Sequence, residues 1–223
     1  SPRPDDVRAW DSLSDDDKQW EAERMAAYAG MVDCLDQNIG RLVDYLTENK
    51  LIDNTVIMFC SDNGACPFER TQGKEYRPWD PRSYWTYDTG WAHVGNTPFR
   101  WYKQNQHEGG ITSPMIVSWS GLKTQAGTVT DQPAHLIDFM ATCLDVAGID
   151  YPTEFHGRHP LPLEGRSLLP IFRGRQREGH AELCWSVPRH HAIRVGKWKA
   201  IRSRGGGSWQ LFDLDADIGE TTD

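Results

Sequence analysis

The stretch Asn54-Thr55-Val56-Ile57-Met58-Phe59-Cys60 decides the fold class of this chain. Its core from Val56 to Cys60 is short and apolar without alternation, which is typical of a strand that is covered on both faces of a sheet. A helical pattern precedes it, and Ser61-Asp62-Asn63-Gly64 follows it directly. A helix, a tight connection and a buried strand in this order predict a layered α/β sheet.

The helix before this strand is predicted to begin after Ser14, because Ser14 is a good amino-terminal cap and Asp15-Asp16-Asp17 meets the positive end of the helix dipole. It is predicted to end near Glu48-Asn49-Lys50. Apolar residues recur at a spacing of three and four, which predicts one buried face. They are Met25, Tyr28, Ala29, Val32, Leu35, Ile39, Leu42, Val43 and Leu46.

Apolar residues show no sustained periodicity over residues 65–106. This segment is much longer than an ordinary connection between elements, which favours a functional loop. Its many aromatic residues argue against disorder, since such groups are costly to leave in water. Beyond the loop, Pro114 to Trp119 is predicted to be a strand. Gln132 to Ala147 is predicted to be a helix that Gly148 stops.

The tail is predicted to form a small antiparallel sheet. Its short strands are separated by turns, among them Gly205-Gly206-Gly207, and run over Glu182–Val187, Ala192–Val195, Trp198–Arg202 and Trp209–Asp213. The predicted domains are therefore residues 1–178, an α/β domain, and residues 179–223, a small β subdomain. An exposed sheet edge is expected to permit self-association.

Composition excludes several classes of partner. The 24 Lys and Arg against 32 Asp and Glu give a net charge of -8, without a basic cluster that would follow a phosphate backbone, so no nucleic acid is expected. No apolar stretch approaches the roughly 20 residues that span a bilayer, so no membrane partner is expected.

Asp62 and Asn63 are the first candidate site residues. Asn-Gly alone is a favoured hairpin turn, but no partnering strand follows Gly64, and ligands in open α/β sheets gather beyond the carboxyl ends of strands. One carboxylate and one amide oxygen suit a hard divalent cation such as calcium, with magnesium or manganese as alternatives.

Lys103 is the second candidate. Most lysines are solvated surface groups, but Lys103 lies in an aromatic segment and precedes Gly109-Gly110, which permits close approach of the backbone. Its ammonium group is a compact positive charge that can hold an oxygen-rich anion.

These elements, in this order, resemble the sulfatase family. The resemblance extends over nearly the whole chain and rests on Met25–Tyr28, Asp36–Leu42, Ser61–Gly64, Gly90–Ala92, Thr97–Lys103, Glu108–Ile111, Pro162–Pro170, Ala192–Lys199 and Leu211–Leu214. The family's nucleophile, a formylglycine made within Cys-x-Pro-x-Arg or Ser-x-Pro-x-Arg, has no counterpart here, because neither motif occurs in the sequence.

The resemblance implies a partial alkaline-phosphatase-like α/β layered sheet with a small carboxyl-terminal antiparallel sheet. It implies that Asp62 and Asn63 bind the metal and that Lys103, five residues before Glu108-Gly109-Gly110, contacts the sulfate of an aryl or sugar ester. His107 is a further candidate donor or proton relay, and Trp91 a candidate in the active-site loop. Formylglycine is expected only in an amino-terminal part that this chain lacks, so the chain alone is expected to be inactive.

Two other functions stay open at this point. A phosphate or phosphonate ester hydrolase of the same superfamily would use a similar oxygen-rich metal site. A non-catalytic, glycan-binding remnant of the scaffold would use the loop aromatics. The resemblance favours a periplasmic or secreted protein over a cytoplasmic one.

Overall fold

The computed structural model of this protein describes residues 1–71, 74–188, 190–202 and 207–222. Its chain divides into two compact units. The first contains Ser1–Asn49, Cys60–Pro114 and Glu182–Asp223, and the second contains Lys50–Phe59 and Met115–Ala181. The predicted division at residues 178 and 179 stays a prediction. Gly205 and Gly206, where a turn is predicted, lie outside the described residues.

In the first unit, a short 3-10 helix at Trp10–Ser12 precedes the long helix α1, Asp15–Glu48. Its predicted cap is confirmed, because Asp17 N donates to Ser14 Oγ at 3.1 Å and the helix ends before Asn49. Among the described residues, no helix combines the length and the apolar character needed to cross a bilayer.

The predicted burial of one face of α1 is wrong over its second half. Only Trp20 and Arg24 are buried in this helix, whereas Met31 and Tyr45 are 63% and 58% exposed. The physical reason is that none of the described elements of this unit covers the stripe that continues through Leu35 and Leu42, which are also exposed.

The first half of α1 instead packs against the aromatic loop that follows Gly64. Trp20 meets Trp85 edge to face at 5.0 Å between ring centroids, and Tyr28 stacks on Tyr87 at 4.5 Å. The aromatic residues thus order the loop, as predicted. The expectation of no regular structure there is wrong at helix α2, Asp88–Asn96, whose short amphipathic pattern is hidden among loop residues.

Helix α3, Glu108–Ile111, and a carboxyl-terminal sheet complete the first unit. Within the described residues this sheet has four antiparallel strands in sequence order. They are β3 Leu183–Val187, β4 His190–Val195, β5 Trp198–Arg202 and β6 Gln210–Asp213. Ala192, Ile201, Phe212 and Leu214 form its core. The predicted small antiparallel sheet is confirmed.

The second unit contains a two-stranded sheet in the described part of the chain. Its strands are β1, Ile57–Cys60, whose last residue is counted with the first unit, and β2, Met115–Ser118, as the sequence predicts. β1 is only half-buried, and Phe59 is 42% exposed. The expected cover on both faces is therefore wrong here, because the described residues form no larger sheet around these strands.

Helix α4, Asp138–Ala147, and helix α5, Leu169–Phe172, belong to the same unit. α4 ends at Gly148 with φ +67, as predicted. The predicted start at Gln132 is wrong, because the buried Asp138 carboxylate accepts from His135 N at 2.9 Å and holds the preceding residues in a turn.

Candidate functional site

The loop directly after β1 presents two oxygen donors. Ser61 Oγ donates to Asn63 O at 2.8 Å, which fixes the turn of this loop. Asp62 is exposed and Asn63 is half-buried. Within the described residues, neither side chain has a hydrogen bond or ion pair to the protein. The oxygens of both side chains are therefore available to an external ligand, and neither side chain is used to cap a hairpin.

The segment that carries Lys103 is tied to this loop through the backbone. Lys103 N donates to Ala65 O at 3.0 Å, and Gly64 N donates to Gly110 O at 3.0 Å. The two bonds join the residues next to Asn63 to both ends of the stretch from Lys103 to Gly110. The structure therefore brings the segments of Asp62, Asn63 and Lys103 together.

The close approach of these segments requires glycine. A Cβ on Gly64 would lie 1.7 Å from Gly109 O, and a Cβ on Gly109 would lie 2.0 Å from Trp101 O. Both distances are far below van der Waals contact, and the facing atoms belong to backbone that cannot rotate away. The Gly-Gly pair noted in the sequence thus allows backbone to pack against backbone.

Asn96, at the end of α2, is a site residue that sequence reasoning missed. Its Nδ2 donates to Gly109 O at 2.7 Å and to Trp101 O at 3.0 Å. Its Oδ1 accepts from Ala65 N at 3.3 Å. One carboxamide thus bridges the loop of Asp62 and the segment of Lys103. The signal in the sequence was weak, a polar residue just before Thr97-Pro98 at the end of an unpredicted helix.

Lys103 itself is half-buried, and its ammonium group has no hydrogen bond or ion pair within the described part of the chain. Its neighbours Trp101 and Gln104 have φ of 62° and 72°, the left-handed region that non-glycine residues seldom adopt. Such strain persists only where surrounding contacts hold it, and it concentrates at functional sites. The backbone around Lys103 is therefore held in a specific, costly conformation.

His107 and Trp91 lie in packed surroundings. His107 is 2% exposed and its ring lies 6.1 Å from that of Phe212. Burial, with added repulsion from the Arg100 and Lys199 charges, lowers the pKa of His107 to about 3, so its imidazole is neutral at pH 7. Trp91 Nε1 donates to Glu21 O at 3.0 Å. Their predicted roles at the substrate stay predictions.

The donor set around Asp62 fits a hard cation only in part. Calcium takes about six to eight oxygen ligands, and Asp62 and Asn63 offer two side chains. Among the described residues, no group of three or more His, Cys, Asp or Glu side chains is arranged to hold a metal ion. Asp62 and Asn63 could therefore supply only some of the ligands of such a cation.

Comparison with known families identifies the family of this chain. The sulfatase family model matches residues 4–149, a stretch that contains Asp62, Asn63 and Lys103. The chain belongs to the sulfatase family. A second model, described as the carboxyl-terminal part of N-sulphoglucosamine sulphohydrolase, matches residues 98–223 of this sulfatase chain.

Curated relatives are similar over much of the sulfatase chain. An uncharacterized sulfatase of Schizosaccharomyces pombe is 31% identical over 234 residues, which cover 96% of this chain and 42% of the relative. The arylsulfatase of Klebsiella aerogenes is 28% identical over 79% of this chain and 40% of its own length. The chain thus spans about two fifths of these relatives.

Among solved structures, a phosphonate monoester hydrolase from Silicibacter pomeroyi is similar with a TM-score of 0.58 and 22% identity. The likeness covers 97% of this chain and 39% of that one. It supports the predicted alkaline-phosphatase-like α/β fold, and at this identity it carries no information about the substrate.

Proposed function

We propose that this chain is the carboxyl-terminal portion of a sulfuric ester hydrolase of the arylsulfatase type, to which it contributes metal-binding and sulfate-binding residues. Family membership supports the reaction class. Two facts support the partial character of the chain. It spans about two fifths of the relatives named above, and it lacks both motifs in which the family makes formylglycine.

One observation carries the proposal. Lys103 N donates to Ala65 O and Gly64 N donates to Gly110 O, so the loop of Asp62 and Asn63 is tied to the segment of Lys103. These bonds use backbone groups only. The side chains of Asp62, Asn63 and Lys103 have no protein partner among the described residues. Two neighbouring ions would fit such an arrangement. The acid and the carboxamide suit a cation, and the ammonium group suits an anion beside it.

In this proposal Asp62 and Asn63 would hold a calcium ion, with magnesium or manganese as the alternatives. A carboxylate and a neutral amide oxygen neutralise only part of a double charge. The bound ion would thus supply residual positive charge to a sulfate oxygen. Lys103 would donate hydrogen bonds to the same anion and stabilise the negative charge that grows on its oxygens as the ester bond breaks.

The ester substrate in this proposal is an aryl or a sugar sulfate. By itself the chain of 223 residues should be inactive, because its residues hold only part of a site. We also propose that the isolated chain self-associates through an exposed sheet edge, since unpaired backbone groups on an edge strand attract a second chain.

The test uses the natural protein that contains this chain, assayed with 4-nitrophenyl sulfate before and after removal of metal with EDTA and after return of calcium. We expect turnover that falls with EDTA and recovers with calcium. The variants Asp62→Ala, Asn63→Ala and Lys103→Ala should each lose most of this turnover. Asp36→Ala, at an exposed acid of α1, and Lys197→Ala, at a surface ion pair, are the matched controls and should retain it.

The same assay separates the competing functions. Turnover of a phenyl phosphonate or 4-nitrophenyl phosphate with no turnover of the sulfate would favour the phosphate or phosphonate ester hydrolase. Binding of a glycan without any turnover, and without an effect of Asp62→Ala, would favour the glycan-binding remnant. Robust sulfatase activity of the 223-residue chain alone would contradict the proposed partial character.

A further inference from the structure

A buried ion cluster contacts the segment that carries Lys103. It consists of Lys199 in β5, Glu108 at the start of α3 and Glu220 near the end of the chain, which are 0%, 2% and 0% exposed. Burial of a charged side chain is costly unless opposite charges and hydrogen bonds compensate it. Such a cluster therefore holds its members in fixed positions.

The contacts within the cluster are short. Lys199 Nζ donates to Glu108 Oε1 at 2.6 Å and forms a close ion pair with Glu220 Oε1 at 2.9 Å. The other oxygen of Glu108 accepts from the Thr112 hydroxyl. Lys199 is thus the positive charge that allows two buried carboxylates to lie beside each other.

Glu220 holds both ends of the segment 100–108. Its Oε2 accepts from Glu108 N at 2.6 Å, and its main-chain oxygen accepts from Arg100 Nη1 at 2.9 Å. Lys103 lies between these two attachment points. We refer to Lys199, Glu108 and Glu220 as the clamp.

The clamped segment is under strain. Trp101 and Gln104, on either side of Lys103, have positive φ, and so does Glu220, at 51°. A backbone in this conformation relaxes when the contacts that fix it are removed. Both ends of the segment that carries Lys103 make contacts with residues far away in sequence, near the carboxyl-terminal end of the chain.

We propose that Lys199 and Glu220 are positioning residues for Lys103. They act by fixing segment 100–108, and so the carboxyl-terminal sheet sets the geometry at which the anion is held. The proposal rests on the proposed function for the role of Lys103, whereas the clamp itself is a statement about the protein alone. Two measurements separate these parts.

The first measurement is hydrogen exchange of the natural protein with Lys199→Met. Lys197→Met is the matched control, because Lys197 lies beside β5 and its ammonium pairs with Asp213 at the surface, at 2.7 Å. We expect faster exchange at residues 100–111 and at Gly64 in Lys199→Met, by a larger factor than in β4, and no such difference in the control. If Lys199→Met does not fold, Glu220→Gln keeps the side-chain shape and replaces it. Equal exchange in clamp and control variants would overturn the clamp.

The second measurement is a double-mutant cycle on kcat/KM for 4-nitrophenyl sulfate. A displaced catalytic group costs on the order of 100-fold, so Lys199→Met should lose about this factor when Lys103 is present and almost nothing further in Lys103→Ala. A merely structural role would give the same loss in both backgrounds and would overturn the positioning role. Absence of activity in the wild-type protein would overturn the proposed function and the catalytic part of this inference, while the exchange result would still decide on the clamp.

Discussion

Lys103 and Lys199 belong to the same compact unit and have opposite surroundings. Lys199 is fully buried and touches two carboxylates, those of Glu108 and Glu220. Lys103, five residues before Glu108, is half-buried and has no side-chain partner among the described residues. One lysine is paired with protein carboxylates, and the other has no protein partner among the described residues.

The two lysines therefore contribute to different properties of the protein. A paired, buried lysine contributes to the folded state, and its loss leaves two acids unpaired. A half-exposed lysine without a protein partner contributes little to folding and can exchange its water for an anion. Removal of Lys199 should therefore appear first in stability, and removal of Lys103 first in activity.

The largest expected effect is on the stability of Lys199→Met. Loss of one partner of a buried ion cluster costs about 3–5 kcal/mol of the free energy of unfolding. Lys103→Met, the matched substitution, should change it by less than about 0.5 kcal/mol, as is usual away from such features. Urea unfolding of both variants measures this, and similar losses in the two would break the contrast between the lysines.

The second prediction concerns the catalytic activity of the Lys103→Ala variant. Lys103→Ala should lower kcat/KM for an aryl sulfate about 100- to 1,000-fold, the range for removal of one group that stabilises transition-state charge. Its unfolding midpoint should stay close to that of the wild-type protein. Steady-state kinetics with the natural protein tests this. A loss below tenfold would remove Lys103 from the site.

A smaller effect is expected at Asn96, which joins the two segments of the site. Asn96→Ala leaves Ala65 N and Gly109 O without their bonds, at a cost of about 1–3 kcal/mol for an unsatisfied buried group. Asn96→Asp should cost more, since its carboxylate would face the carbonyls that Nδ2 now contacts. Asn38→Ala, on the exposed side of α1, is the control. Equal midpoints for all three variants would contradict the bridging role.

The smallest effect is the pH dependence that Glu220 confers. Burial raises the pKa of Glu220 above its usual 4.5, although the Lys199 charge opposes the rise. The folded protein thus holds the Glu220 proton to higher pH than the unfolded chain. The stabilisation from this group is present below pH 4.5 and is lost as pH rises through the raised pKa. Unfolding of the wild-type protein and of Glu220→Gln over a pH series measures this dependence, which the variant should lack. If the wild-type protein gained stability relative to Glu220→Gln as the pH rises above 4.5, the prediction would be contradicted.

Local patterns in the sequence predicted much of this molecule. The Ser14 cap, the end of α1 before Asn49, the strands of the tail and the loop that follows β1 all depend on residues close together in the chain. The candidate site residues Asp62, Asn63 and Lys103 could be chosen because residue type, strand ends and glycine pairs are visible in sequence.

The remainder depends on contacts between distant residues. Arg100 and Glu220 meet across a separation of 120 positions, and Lys199 reaches Glu108 across 91. The aromatic segment and Gly109-Gly110 singled out Lys103, but no local pattern indicated that Lys199 is buried between two carboxylates. The exposed second half of α1 was also beyond prediction, because periodicity indicates an apolar face and does not say what covers it.

A crystal structure of the natural protein with calcium and sulfate would decide whether Asp62, Asn63 and Lys103 share one site. We expect oxygens of Asp62 and Asn63 about 2.3–2.6 Å from the cation and Lys103 Nζ about 2.7–3.1 Å from a sulfate oxygen bound beside it. A cation bound elsewhere, or a Lys103 ammonium directed away from the sulfate, would contradict the shared site and the sulfatase function proposed for these residues.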